Sequence, residues 1–308
     1  MRLIFIATGD IALPTFHHLL AAGPRPLALV TQPDKPVGRH QTLTPPAIKL
    51  AALAAGIPVY QPEKIGDITA ELAALDPEIL VVMAYGQILR KNILTLASQA
   101  IINLHASLLP KYRGAACIQA AIDAGDSETG ITAMHVVQAL DAGDMIISKS
   151  LLIAPDETGG SLHDHLAELA PSVLAETLVK LTDGSAPRIP QDESASSYIS
   201  KLERDHGKLD WSQDASVLER RIRAYDPWPG SYTIAIESGK EKRLKIFPPT
   251  TVVALSLTPG EIATADGHLT VGCGSGSLRL TSVQPDGSRK MAASDYLHGR
   301  KPTAVVCY

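Results

Sequence analysis

The sequence predicts an α/β protein, a doubly wound and mostly parallel sheet followed by a small β-barrel. Three observations predict it. In the front half, short apolar runs alternate with helically spaced stretches, beginning with residues 3–7, 11–22 and 26–30. Strands that alternate with helices build a parallel sheet covered on both faces. The front strands are also continuous apolar runs rather than alternating ones, as burial of both faces requires. Behind Lys208 the pattern changes to short β-like runs cut by Gly, Asp and Pro, which suits a barrel. At 308 residues the chain is long for one core and suggests two domains.

The elements follow in order. Residues 3–7 form the first strand, Thr8-Gly9-Asp10 the turn, and residues 11–22 a helix that Gly23 stops. The turn lacks Gly-x-Gly-x-x-Gly, and no Gly-x-x-x-x-Gly-Lys-Ser/Thr occurs, which argues against dinucleotide and phosphate-loop chemistry. Residues 31–46 form a long Pro-rich loop carrying Lys35, Arg39 and His40. Such loops are often functional, and are otherwise plain surface connections. Helices are expected at 48–55, 68–75 and 93–96, and strands from Val59-Tyr60, at 79–84 ending in Tyr85-Gly86, and at 101–104. A helix at 114–124 and strands at 129–137 and 145–153 complete the sheet. Residues 161–181 make a long helix with an apolar stripe that includes Leu162, Leu166, Val173 and Leu178.

Residues 187–205 lose periodicity and gain Ser, Asp and Glu, which reads as a linker. Helical spacing returns at 215–224, with Arg220, Arg221 and Arg223, and ends at Pro227-Trp228-Pro229-Gly230. The β-like runs of the barrel are 231–236, 244–247, 260–265, 269–271 and 278–283, and 294–297 is one helical turn.

No window approaches a transmembrane length, and the N-terminus lacks the cleavage pattern of a signal peptide, so a cytoplasmic protein is expected. Cys117, Cys273 and Cys307 have no spacing that supports a disulfide framework or a zinc site, and no metal is expected. From Lys208 onward the chain holds 13 Lys+Arg against 10 Asp+Glu, while the front holds 15 against 22. A mildly basic back half hints at a polyanionic partner, although chance asymmetry explains the same numbers.

Candidate chemistry sits where strand 101–104 ends. Asn103 and His105 are one residue apart, so on a strand both side chains leave the same face. Ligands of open α/β sheets bind beyond the carboxyl ends of the strands. Asn can donate to a developing oxyanion, His can move a proton at the same oxygen, and an Asp further on can orient the His or take a proton. Taken singly, His105 reads as a satisfied buried histidine, Asn103 as a capping residue and Asp141, beside Gly143, as a turn former. His163 and His165 face apart on a helix and make no metal pair. Cys117 reads as a packed thiol. No Gly-x-Ser-x-Gly elbow occurs, so direct transfer is favoured over an acyl-enzyme. The residues alone lead to an α/β enzyme acting on a carbonyl, with a basic β domain behind it.

The stretch Asn103-Leu104-His105-Ala106-Ser107-Leu108-Leu109-Pro110, the Tyr112-Arg113-Gly114 after it and Leu140-Asp141-Ala142-Gly143-Asp144 closely resemble the folate-dependent formyltransferases. Further likeness lies in Thr31-Gln32-Pro33-Asp34-Lys35-Pro36, Val82-Met83-Ala84-Tyr85-Gly86, Gly125-Asp126-Ser127-Glu128-Thr129-Gly130 and Trp228-Pro229. The match covers most of the chain, whereas the relative that acts on glycinamide ribonucleotide resembles only the front domain. The resemblance implies a Rossmann-like catalytic domain over 1–186, a linker over 187–207 and an OB-like barrel over 208–308. It implies that 10-formyltetrahydrofolate gives its formyl group to the α-amine of methionine on initiator tRNA, with Asn103, His105 and Asp141 as the catalytic trio. Folate contacts are implied for Ser107, Leu108, Leu109 and Pro110, with Val82, Met83, Tyr85, Gly86, Val137 and Leu140 around the pterin. Contacts to tRNA are implied for Lys35 and Arg39 in the long loop, and for the back-half cations Arg220 and Arg223. A monomer without a membrane partner is expected. Ala106, Cys117, His40-Gln41 and Thr8-Gly9-Asp10 depart from the usual family residues, and none removes a group that the mechanism needs.

Overall fold

A computed structural model describes residues 1–38 and 41–307. It resolves two compact units. One comprises Met1–Cys117, Glu128–Leu151 and His163–Ile199, the other Ile118–Ser127, Leu152–Leu162 and Ser200–Tyr308.

The first unit opens with β1 (Leu3–Ala7), a short 3₁₀ turn, α1 (Leu13–Ala21) and β2 (Ala28–Val30). The expected loop at 31–46 holds a hairpin of its own, β3 (Lys35–Val37) and β4 (Thr42–Thr44), paired antiparallel. Its side chains are exposed on both strands. The chain continues through α2 (Ala47–Ala54), β5 (Val59–Tyr60), α3 (Thr69–Ala74), β6 (Ile79–Met83), α4 (Lys91–Leu94) and β7 (Ala100–His105). Next along the chain come β8 (Arg113–Gly114), α5 (Cys117–Ala124), which belongs to the second unit from Ile118 on, β9 (Glu128–His135), β10 (Met145–Leu152), α6 (Gly159–Thr182), which returns to the first unit at His163, and β11 (Tyr198–Ile199).

Seven strands order as β10-β9-β7-β6-β1-β2-β5. The five from β7 to β5 run parallel, and β9 joins β7 antiparallel. The doubly wound expectation therefore holds, with a mixed edge. β1 is buried at every position because helices cover both of its faces. On one face Ile4, Ile6, Val30, Leu80 and Ile101 share a core with Ile65, Leu72 and Ile93. On the other, Phe5 meets Phe16 of α1 at 5.8 Å between ring centroids.

The second unit contains α7 (Ala215–Ala224), then β12 (Ser231–Glu237), β13 (Lys240–Val253), β14 (Ile262–Ala263), β15 (Leu269–Gly272), β16 (Ser277–Pro285), β17 (Met291–Ala292), α8 (Ala293–Gly299) and β18 (Pro302–Val305). The strand order is β14-β15-β16-β13-β12-β18, and the bridge between Glu261 and Ala304 joins the two edges. This is the expected barrel. Its core gathers Trp211, Leu218, Ile222, Leu244, Val271 and Tyr296, and the Trp211 indole N–H is satisfied by Thr233 Oγ1 at 2.9 Å. β13 is 14 residues long, where the sequence suggested only 244–247. Pro248-Pro249 sits at a register shift between Phe247 and Thr250. Proline is tolerated in a strand at such a bulge, so the pair bends β13 without ending it.

Candidate active site

β7 delivers Asn103 and His105 to one face. Asn103 stands opposite Val82 on β6 and Met134 on β9, and His105 opposite Thr132. His105 is 7% exposed. Its Nε2 lies 2.8 Å from the Tyr112 carbonyl oxygen. A carbonyl only accepts, so Nε2 carries the proton and Nδ1 is left as the reactive nitrogen. Tyr112 presents that oxygen from a left-handed backbone, φ +60°.

The loop after β7 is held by Thr132. Its hydroxyl donates to the Ser107 carbonyl at 2.7 Å and accepts from the Leu109 N–H at 3.2 Å. Ser107 is fully buried and spends its own hydroxyl on the Lys111 carbonyl at 2.7 Å.

Asp141 enters from the loop between β9 and β10. Its Oδ2 accepts from the Gly114 N–H at 2.9 Å and lies 3.8 Å from His105 Nδ1, and its Oδ1 lies 3.5 Å from Asn103 Nδ2. The latter two separations are long for hydrogen bonds. The three predicted side chains thus converge on one point. Asp141 sits at φ +49°, a conformation that Asp tolerates but must be held in. Two glycines allow the approach. A Cβ on Gly143 would stand 1.8 Å from the His135 carbonyl oxygen, and one on Gly114, at φ +103°, would stand 2.3 Å from that of Ile199.

Cys117 is buried and donates to the Tyr112 carbonyl at 2.7 Å, with its sulfur 3.3 Å from His105 Nε2. Burial first, and the Asp141 carboxylate second, push its thiol up to about 12. It is a packed thiol, as the sequence suggested, and not a nucleophile.

The expected folate residues divide. Val82, Leu108 and Pro110 are partly exposed, Gly86 is exposed, and Val137 and Leu140 are exposed apolar side chains on the loop that leads to Asp141. Met83, Tyr85, Ser107 and Leu109 are buried. Burial pushes the Tyr85 hydroxyl up to about 12, and Tyr85 packs in the sheet core. Any part these four play in binding runs through backbone or support.

Of the expected tRNA contacts, Lys35 lies exposed on the hairpin and bonds the Gln32 side chain. Arg39 lies outside the described residues. Arg220 Nε donates to the Asp123 carbonyl at 3.1 Å. Arg223 corrects the expectation. It is 9% exposed, its fork is paired with Glu219 at 2.6 and 3.0 Å, and its Nη1 donates to the Glu157 carbonyl at 2.7 Å. Its charge is spent inside the second unit. Sequence reading missed Thr132, the Tyr112 carbonyl and the Gly114 N–H. Backbone groups leave no residue signature, and a strand Thr reads as an ordinary β-former. Among the described residues no cluster of three or more metal-capable side chains occurs, and no helix is long and apolar enough to cross a membrane.

The likeness to known proteins extends over most of the chain. Residues 1–178 match the formyl transferase family and residues 201–301 the formyl transferase C-terminal domain. A methionyl-tRNA formyltransferase of Akkermansia muciniphila is 48% identical over 304 residues, covering 97% of this chain and 96% of the relative. One of Moorella thermoacetica is 44% identical over 308 residues, with the same coverage. Among solved structures, an N-formyltransferase from Helicobacter canadensis, in complex with folinic acid and dTDP-3-aminofucose, superposes with a TM-score of 0.68. It is 16% identical, with 94% of this chain and 100% of that one covered. HypX from Aquifex aeolicus in complex with tetrahydrofolic acid gives 0.64 at 18% identity, covering 96% of this chain and 47% of that one. At such identities the superpositions speak for the fold.

Proposed function

We propose, from a chain that belongs to the formyl transferase family in both its N-terminal and C-terminal parts, direct transfer of the formyl group of 10-formyltetrahydrofolate to the α-amine of methionine on initiator tRNA. The relatives at 44–48% identity, each covered to 96% of its length, are named methionyl-tRNA formyltransferases. The observation that carries the residue roles is the convergence of Asn103, His105 and Asp141 at the end of β7.

The amine attacks the formyl carbon, and the carbonyl oxygen takes up negative charge. The Asn103 amide N–H groups stabilise that oxygen. His105 Nδ1 takes the proton that the amine sheds and returns it to the folate nitrogen as the carbon–nitrogen bond breaks, so the proton count closes. While the ring carries the proton, Nδ1–H also faces the charged oxygen. The Asp141 carboxylate, 3.8 Å from Nδ1, meets the positive ring and fixes its orientation. The apolar Leu108, Val137 and Leu140 cover the pterin, and backbone at Tyr85-Gly86 borders it. Lys35 and Arg39 meet the acceptor end of the tRNA. The working division is a catalytic domain over 1–186, a connector over 187–207 and a tRNA-binding barrel over 208–308. The enzyme acts as a monomer in the cytoplasm.

The test is a transfer assay with purified protein, 10-formyltetrahydrofolate and charged initiator tRNA, beside free methionine and a dTDP-linked amino sugar. Formylation of the charged tRNA alone supports the reading; formylation of the sugar alone overturns it.

A further inference from the structure

Residues 189–199, which the sequence presents as part of a connector, are bonded to both loops of the site. Ile189 exchanges backbone hydrogen bonds with Met145 at 2.8 and 3.0 Å. At the other end Tyr198 and Ile199 pair in parallel with Arg113 and Gly114, and the Ser197 hydroxyl accepts from the Tyr112 N–H at 2.9 Å. The strap therefore touches the loop that carries Asp141 and the loop that carries the His105 acceptor.

Between these anchors, two side chains form a relay. Arg113 is completely buried and uses all five of its N–H groups on the strap. Nε and Nη2 donate to Gln191 Oε1 at 3.0 and 2.9 Å, Nη2 and Nη1 to the two Glu193 oxygens at 2.7 and 3.0 Å, and Nη1 to the Tyr198 hydroxyl at 2.8 Å. No donor remains for folate or phosphate, so the Arg of the Tyr-Arg-Gly stretch has no free hand for substrate. Gln191 then turns its other end to the catalytic loop. Its Nε2 donates to the Asp141 carbonyl and to the Gly143 carbonyl, both at 2.8 Å. The amide cannot be reversed, because guanidinium offers only donors and the two carbonyls only acceptors.

We propose that Gln191 is a positioning residue for formyl transfer: gripped by Arg113, its amide holds the backbone of Asp141 and Gly143 and so aims the Asp141 carboxylate at His105. The inference rests on the transfer reading above. It follows from the left-handed backbone of Asp141. A conformation outside the broad minima persists only when its surroundings over-determine it. Of the groups that do so here, the Gly114 N–H holds the carboxylate and Gln191 holds the main chain.

The near-isosteric Gln191→Glu keeps the Arg113 contact and sets a carboxylate oxygen against two carbonyls. Expected are a fall of at least about tenfold in kcat, the order of one misplaced catalytic contact, unchanged KM for folate and tRNA, and faster amide hydrogen exchange in the peptide spanning 138–146. Gln191→Met removes both carbonyl bonds and the oxygen that Arg113 grips, with no charge set against the carbonyls; it gives a change in the same direction, and decides the matter should Gln191→Glu fail to fold. Parental exchange at 138–146 in a folded variant overturns the proposal, as does a loss in KM alone. Exchange is read without substrate. A parent protein inactive on charged tRNA would therefore sink the functional reading while the relay is still decided.

Discussion

His105 donates from Nε2 to the Tyr112 carbonyl at 2.8 Å, and the same carbonyl takes a second hydrogen bond from the Cys117 thiol at 2.7 Å. The imidazole is thereby held with its protonated nitrogen facing away from Asp141 and its basic nitrogen facing towards it. The arrangement separates what His105 does for the chemistry from what it does for the fold.

Replacing His105 with Ala removes the proton carrier but leaves the Tyr112 carbonyl bonded by Cys117. The expected result is a loss of about 10²–10⁴ in kcat with little change in melting temperature. Single-turnover transfer and thermal melting measure both. A variant with nearly parental kcat would dismiss the proton role.

The thiol itself stays out of the reaction. With Cys117 pushed up to about 12 and Cys273 to about 11 by burial, neither forms thiolate at pH 8 in the folded protein. Iodoacetamide should modify the exposed Cys307 and spare the two buried thiols, as peptide mass spectrometry would read. Cys117→Ala should keep kcat close to the parent's. Labelling of Cys117 with parallel inactivation would contradict this.

Part of this site was legible and part was not, for physical reasons. Asn103 and His105 share a face because strand side chains repeat every two residues, which spacing alone reveals. The contact of Asn103 with Asp141 spans 38 residues of sequence, and no local pattern encodes it; only the family resemblance supplied it. The antiparallel direction of β9 was hidden because an apolar run looks the same in either direction. Arg223 looked like a surface cation, since a sequence does not show that Glu219 and the Glu157 carbonyl enclose it. Gln191 was lost in a polar stretch. Ser, Asp, Glu and Gln mark a loose linker and a strap bonded through side chains equally well.

Gly143 tests how tightly the Asp141 loop is pressed against β9. Any side chain there meets the His135 carbonyl at 1.8 Å, so Gly143→Ala must lift the loop. We expect a stability loss of about 2 kcal/mol or more, the upper range for single substitutions, with a larger proportional loss of kcat. Urea unfolding beside the transfer assay checks it. Parental values for both would mean that the loop is free to shift without consequence.

His135, at the end of β9, sets an acid limit. Burial first, then Arg188, hold its imidazole below the ordinary 6.5, with Asp144 opposing. As pH falls through 6.5 the unfolded chain takes up a proton that the folded chain refuses until lower pH. Stability therefore declines across that window and is unaffected above it. His135→Gln should flatten the fall in melting temperature between about pH 7 and pH 5. An equal fall in both proteins would assign the acid sensitivity elsewhere.

Lys35 and Arg223 give opposite predictions although both were expected to meet tRNA. Lys35 is exposed on the hairpin, so Lys35→Ala should weaken binding of charged tRNA and lower the slope of log affinity against log salt by about one, leaving the melting temperature alone. Arg223 is enclosed between Glu219 and Glu157. Arg223→Ala leaves the Glu219 carboxylate, whose side chain is 20% exposed, without its partner, and removing one member of a buried pair costs about 3 kcal/mol. Its salt slope should match the parent's, because a guanidinium already bonded inside the protein releases no counterions from a nucleic acid. A reduced slope with intact stability in Arg223→Ala would return that residue to the tRNA surface.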